Sequence, residues 1–156
     1  MKDYVRWPLV LVVVVILAYL LHEAKSLDVH TVTKVYDGDT IQIEDGTRIR
    51  LIGIDAPEIN SPYGNAEPFG YESKRYLTRM LLDEKVKISV GPEPFDKYGR
   101  TLAYVYLTNG TLVNARIVKD GWARVYRRFD FKYKDLFLSY EKEARAKGIG
   151  MWQRKK

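Results

Sequence analysis

The chain has 156 residues, a net charge of +6, no cysteine and only two histidines, His22 and His30. Disulfides and thiolate metal centres are thereby excluded, and the scarcity of histidine argues against an imidazole-built zinc or copper site, so any bound metal is expected to be a hard cation held by oxygen. Residues 1–26 hold three basic and two acidic side chains, so the remainder keeps a charge of +5, and a basic domain attracts polyanions such as nucleic acid or anionic lipid.

The first element is apolar. Positions 7–21 contain no charged residue; Lys2 and Arg6 precede them, and His22, Glu23 and Lys25 follow. A basic start and an apolar middle are what an export signal requires. The run is shorter than the roughly 20 residues that comfortably span a bilayer, although snorkelling flanks and local thinning let such a segment cross. Residues 1–26 are therefore expected to be a signal or membrane anchor. Residues 27–156 form one folded domain outside the cytoplasm, anchored or secreted after cleavage. Roughly 130 residues build one core and not two.

Within that domain, 29–36 alternates apolar and polar residues, 40–43 resumes the pattern, Asp45-Gly46 signals a hairpin, and 47–55 returns. These predict a three-stranded meander. Pro57, Pro62, Gly64 and Pro68 mark a loop. Apolar residues at 69, 76, 77, 80 and 81 predict a helix over 69–82. A strand at 86–90, a loop over 91–99, a strand at 101–107 and a short helix at 112–119 follow. A short extended piece at 122–126 precedes a last helix at 133–147 ended by Gly148. The expected class is α+β: a small five-stranded barrel that hides its edges by closure, with about three packed helices behind the apolar segment.

Three motifs carry the chemistry: Asp37-Gly38-Asp39-Thr40, the run Arg50-Leu51-Ile52-Gly53-Ile54-Asp55-Ala56-Pro57-Glu58, and Asp96-Lys97-Tyr98-Gly99-Arg100. If Asp39, Asp55 and Glu58 converge, three negative charges crowd one pocket and need a cation, or their pKa values rise. If Arg50 and Arg100 join them, the pocket also grips a phosphate with two planar forks. Pro57 biases Ala56 toward an extended shape that turns its carbonyl outward as an oxygen ligand. One tension stands against convergence. Arg50 and Asp55 differ by an odd number, so strict alternation puts them on opposite faces, and a bulge near Gly53 or a twist at the strand end is needed.

The ordered set of motifs resembles the staphylococcal (thermo)nuclease family from about Val29 to Trp152. It also includes the Gly70-Tyr71-Glu72-Ser73-Lys74 start of a helix, Leu102 to Tyr106, Leu112-Val113-Asn114, Gly121 to Val125 and a final helix running into Gly150-Met151-Trp152. Each motif is modest alone and the ordered set is specific. The resemblance implies an oligonucleotide-binding (OB-fold) barrel and a monomeric calcium-dependent nuclease acting on DNA and/or RNA, with a 5′-oxygen leaving group and 3′-phosphate products. It implies that Asp39, Asp55 and the Ala56 carbonyl bind calcium, that Glu58 activates water, and that Arg50 and Arg100 hold the scissile phosphate. Lys97 and Tyr98 match residues near a terminal phosphate. Where the best-studied members carry a tyrosine pair, this chain reads Tyr126-Arg127-Arg128-Phe129, and Tyr126 is the expected substrate contact.

Two other functions compete. The same barrel serves non-catalytic nucleic-acid binding, but a pure binder has no reason to keep Glu58 with both arginines. A basic membrane-surface protein would use the apolar segment and leave the carboxylate cluster unexplained.

Overall fold

The computed structural model describes residues 10–15, 28–60 and 64–153. The signal or anchor expected at 1–26 lies mostly outside them; Val10 to Val15 are helical and exposed. Among the described residues no helix is long and apolar enough to cross a membrane.

Strands β1 (Val29–Val35), β2 (Thr40–Ile43) and β3 (Arg48–Leu51) form the expected antiparallel meander. β1 does not alternate strictly, because Thr33 is an extra residue between the pairs Val32↔Ile43 and Lys34↔Gln42. This bulge re-phases the pleat, so Val32 and Val35, three apart, both enter the core. Strands β5 (Lys85–Phe95) and β6 (Thr101–Leu107) complete a closed barrel in the order β1-β2-β3-β6-β5, with β3 and β6 parallel. Closure leaves no open edge, and the interior is filled by Val32, Ile41, Ile49, Leu51, Val86, Val105 and their neighbours.

Two sequence expectations are corrected. The loop expected at 91–99 is mostly strand: β5 continues to Phe95, and its register against β6 shifts between Val90 and Phe95. Pro92 and Pro94 lack the N–H a regular ladder needs, so they are carried by this irregular stretch. The single strand expected at 47–55 is broken. β3 stops at Leu51, Ile52 and Gly53 turn, and β4 (Ile54–Asp55) leaves the barrel to pair with β7 (Arg124–Val125) in a separate two-stranded sheet. Gly53 has φ of 81° and its missing side chain makes room for the Phe131 ring, which a Cβ would meet at 2.5 Å.

Three helices cover the barrel. α1 (Gly70–Leu81) buries Gly70, Ser73, Leu77 and Leu81 along one stripe. α2 (Val113–Lys119) is almost wholly buried on its inner side. α3 (Lys134–Lys147) buries Phe137, Glu141 and Ala144 and ends at Gly148 in the left-handed conformation. α1 meets the β1–β2 connection so closely that a Cβ on Gly38 would lie 1.9 Å from Ser73 Oγ. Ser73 Oγ in turn donates to the Trp122 carbonyl at 2.7 Å, which ties the helix to the segment entering β7.

Candidate active site

The break at Ile52–Gly53 removes the alternation problem. Asn114, fully buried, donates from Nδ2 to the carbonyls of Ile52 (3.0 Å) and Ala103 (3.2 Å) and accepts from Val105 N, so α2 pins the turn to β6. The chain beyond the turn brings Asp55 back to Arg50. Arg50 Nη1 donates to the Leu51 and Ile54 carbonyls at 3.0 and 2.9 Å. Its Nη2 lies 3.0 Å from Asp39 Oδ2 and 3.8 Å from Asp55 Oδ1. One guanidinium nitrogen thus stands between two carboxylates contributed by residues 16 apart in number.

Asp39 is buried. Its Oδ2 also accepts Ala56 N at 2.9 Å, and its Oδ1 accepts the Thr40 hydroxyl at 3.0 Å. Asp37 Oδ1 accepts Asp39 N at 2.9 Å and shapes the turn that presents it. Burial pushes the Asp39 carboxyl up from 3.8 to about 7; Arg50 opposes the rise and the Asp37 charge adds to it. Arg50 alone therefore does not offset the cost of a buried negative charge here. Glu58 is exposed as a whole residue, yet partial burial is the largest cause of a carboxyl raised above the ordinary range. The charge of Asp37 raises it further and Arg50 works against both. Glu58 is held by its backbone: its carbonyl accepts Glu67 N at 2.7 Å, and its N–H faces Glu67 Oε2 at 3.4 Å.

Arg100 arrives from the other side. Asp96 accepts Arg100 Nε at 2.7 Å, Arg100 N at 3.0 Å and Tyr98 N at 2.9 Å. Burial would raise the Asp96 carboxyl, but these hydrogen bonds and the arginine's charge hold it below its ordinary value. Arg100 Nη1 then reaches Thr40 Oγ1 at 3.3 Å, one residue from Asp39. The Tyr98 ring lies 4.9 Å from Lys97 Nζ and 5.3 Å from the Arg100 guanidinium, and Tyr98 is 70% exposed. Lys97, Tyr98 and Arg100 therefore form one cationic rim beside the carboxylates.

Tyr126 N donates to the Gly53 carbonyl at 2.9 Å, so the segment after β7 lies along the turn that returns Asp55. Its ring faces Phe129 at 5.7 Å between centroids, and Phe129 is 68% exposed. Arg127 is turned away: it bonds the Val125 carbonyl at 3.1 Å and pairs with buried Glu141 on α3. Thr40, Asp37, Glu67 and Phe129 are thus parts of the surroundings that sequence reasoning did not assign roles. The first two sit inside the Asp37-to-Thr40 motif, where their neighbours marked them.

The donors fit a hard cation. Asp39 and Asp55 supply carboxylate oxygens with no competing nitrogen or sulfur ligand, and Asp39 is a buried negative group short of positive charge. Among the described residues no set of three or more His, Cys, Asp or Glu gathers as a cage, so a main-chain oxygen such as that of Ala56, and water, would have to complete the shell. A cleft of about 280 Å³ lined by His30, Ile43, Ile88, Val90 and Phe95 contains none of these groups.

The raised Asp39 carboxyl has a consequence for stability. A carboxyl that binds its proton more tightly when folded stabilises the fold at low pH, and that contribution is lost as pH rises from 3.8 through about 7. Without metal, Asp39→Asn is expected to raise unfolding free energy by on the order of 2 kcal/mol above that window, with no gain near the low end. Urea unfolding on both sides of the window checks this; equal gains at both pH values would remove ionisation as the cause.

The family model described as staphylococcal nuclease homologue matches residues 48–154. The thermonuclease of Staphylococcus intermedius is 40% identical over 130 residues, covering 80% of this chain and 76% of that protein. The thermonuclease of Staphylococcus hyicus is 35% identical over 127 residues, covering 79% and 75%. The micrococcal nuclease of Shigella flexneri is 33% identical over 132 residues, covering 78% and 71%. With its carboxylates and arginines gathered as described, the chain belongs to the staphylococcal nuclease family.

Proposed function

We propose that the chain is a nuclease: a calcium-dependent phosphodiesterase that hydrolyses DNA and/or RNA by in-line attack of water with the 5′-oxygen leaving. The observation that carries this reading is Arg50 Nη2 standing between Asp39 and Asp55, with Arg100 brought to Thr40 beside them. The nuclease names of its relatives point the same way. The OB-type description of the barrel belongs to the same reading, since such barrels bind oligonucleotides on the face and loops that surround this site.

Asp39, Asp55 and the Ala56 carbonyl are the groups that would hold calcium. When bound, the ion supplies positive charge to a phosphate oxygen, a contribution of several kcal/mol in metal-assisted hydrolysis. Glu58 orients a water and takes its proton; a carboxyl raised above its ordinary value is the stronger base for that task. Arg50 and Arg100 stabilise the charge that builds on the phosphate. Unaided phosphodiester hydrolysis is so slow that the site must lower the barrier by on the order of 10 kcal/mol or more, which no single group supplies. Lys97 and Tyr98 form the rim for a neighbouring phosphate, and Tyr126 with Phe129 offers aromatic surface to a base. The domain works as a monomer outside the cytoplasm, carried there by residues 1–26.

Plasmid degradation by the full chain tests the core of this. Cleavage is expected with calcium, is lost on chelation, and returns with calcium better than with magnesium, leaving 3′-phosphate ends. Undiminished cleavage in chelator would sink the metal-assisted reading.

A further inference from the structure

The outward face of β1, β2 and β3 carries a second row of positive charge beside the site. Past the Thr33 bulge, Lys34 pairs with Gln42, and Gln42 pairs with Arg48, so the three lie side by side across three strands. The next row is Tyr36, Thr40 and Arg50: Tyr36 N donates to the Thr40 carbonyl at 2.9 Å, and Thr40 pairs with Arg50. Side chains two apart on a strand share a face, about 7 Å from one another. Burial agrees, for Ile49 and Leu51 are buried, Arg48 is exposed and Arg50 is half-buried.

The two rows are locked by one ring. Lys34 Nζ lies 4.5 Å and the Arg48 guanidinium 4.7 Å from the centre of Tyr36, whose hydroxyl donates to Gln42 Oε1 at 2.7 Å. Among the described residues neither cation has a carboxylate within ion-pair distance. Glu44, on the same hairpin, is taken by Thr31 N and His30, and Asp45 by Thr47 N. Attraction to the half-buried ring holds together two like charges that repel. An anion placed against both would relieve the repulsion.

We propose that Lys34 and Arg48, braced on Tyr36, form a distal phosphate subsite that holds a single polynucleotide strand beyond the cleavage position. This rests on the nuclease reading above. The row offers an ammonium and a guanidinium fork, which is phosphate chemistry. The oxygen of its one amide, Gln42, accepts the Tyr36 hydroxyl, and the two cations address backbone phosphate and not base. The step from Arg50 to Arg48 along β3 is comparable with that between successive phosphates of an extended strand. Substrates long enough to reach the second row therefore bind more tightly than minimal ones.

The test compares the full chain with Lys34→Gln/Arg48→Gln, using an oligothymidylate and a dinucleotide with one scissile phosphate. For the oligothymidylate, KM is expected to rise about tenfold, and the slope of log KM against log salt to fall by about 1.4, or 0.7 for each single-strand phosphate no longer neutralised. The kcat, and the dinucleotide KM, stay unchanged. The charge-conserving pair Lys34→Arg/Arg48→Lys restores the oligothymidylate KM. Binding of labelled oligothymidylate in chelator, followed by fluorescence anisotropy, gives the same weakening without turnover. If the parent chain cleaves nothing but this weakening is seen, the cleavage reading fails and the subsite stands. Should the double variant not melt like the parent, Arg48→Gln alone answers the question. An unchanged oligothymidylate KM and salt slope would overturn the proposal. So would loss of binding to phosphatidylserine vesicles with oligothymidylate binding intact, which would make the row a membrane-facing surface.

Discussion

Glu58→Gln is expected to lower kcat by about 10²–10⁴-fold while calcium and nucleotide binding persist. Glutamine keeps the shape and the backbone bonds that close the loop from Glu58 to Glu67. It cannot take a proton. Single-turnover cleavage paired with calorimetric calcium binding checks this, and a large loss of calcium affinity would instead make Glu58 a ligand. The pH profile carries the same information. Burial and the Asp37 charge hold the Glu58 carboxyl above its ordinary value, so its proton stays on to higher pH. Below that titration the base is occupied and kcat/KM falls; above it the base is free. The acid limb should therefore lie at higher pH than an ordinary glutamate would place it, and Glu58→Gln should lose that limb.

Arg50→Lys is expected to fail nearly as badly as Arg50→Ala, with kcat/KM down by about 10²–10³-fold in both. The guanidinium has four partners around its two terminal nitrogens. Nη1 takes the Leu51 and Ile54 carbonyls, and Nη2 faces Asp39 and Asp55. The two carbonyl bonds aim the fork, and a phosphate entering the site finds Nη2 already in position. An ammonium is a compact point charge on a flexible stem and cannot span both carbonyls and both carboxylates. Charge would survive and direction would not. Steady-state kinetics on a single-stranded substrate decides it, and near-parental turnover in Arg50→Lys would remove Arg50 from the transition state. Loss confined to KM would leave it a binding group only.

The mixed apolar and polar run of 29–36, broken only at the Thr33 bulge, its continuation at 40–43, the Asp45-Gly46 hairpin signal and the apolar spacing of 69–82 are enough to read a meander and a helix, because these are local patterns. The ends of β5 and of the third strand differ from the sequence expectation for a shared reason. Both are places where a strand leaves regular pairing, and the departure is decided by what it packs against. Nothing near Gly53 in the sequence announces that Phe131 occupies the space beside it, or that Asn114 holds the Ile52 carbonyl.

The same division runs through the site. Each motif alone reads equally as a turn or a strand exit; it is their ordered set, through the family resemblance, that singles out Asp39, Arg50, Asp55, Glu58 and Arg100. Their convergence is a different matter, and alternation even argues against it for Arg50 and Asp55. Only the turn at Ile52–Gly53 and the pairing of β4 with β7 bring those two within 3.8 Å. Only the fold pairs Arg127 with buried Glu141, while Phe129 stays on the surface. A buried charge must find its partner wherever the chain brings one, and Glu141 lies 14 residues from Arg127. Sequence by itself determined which chemistry this protein can hold; distance and direction between those groups came from contacts that close only when the barrel does.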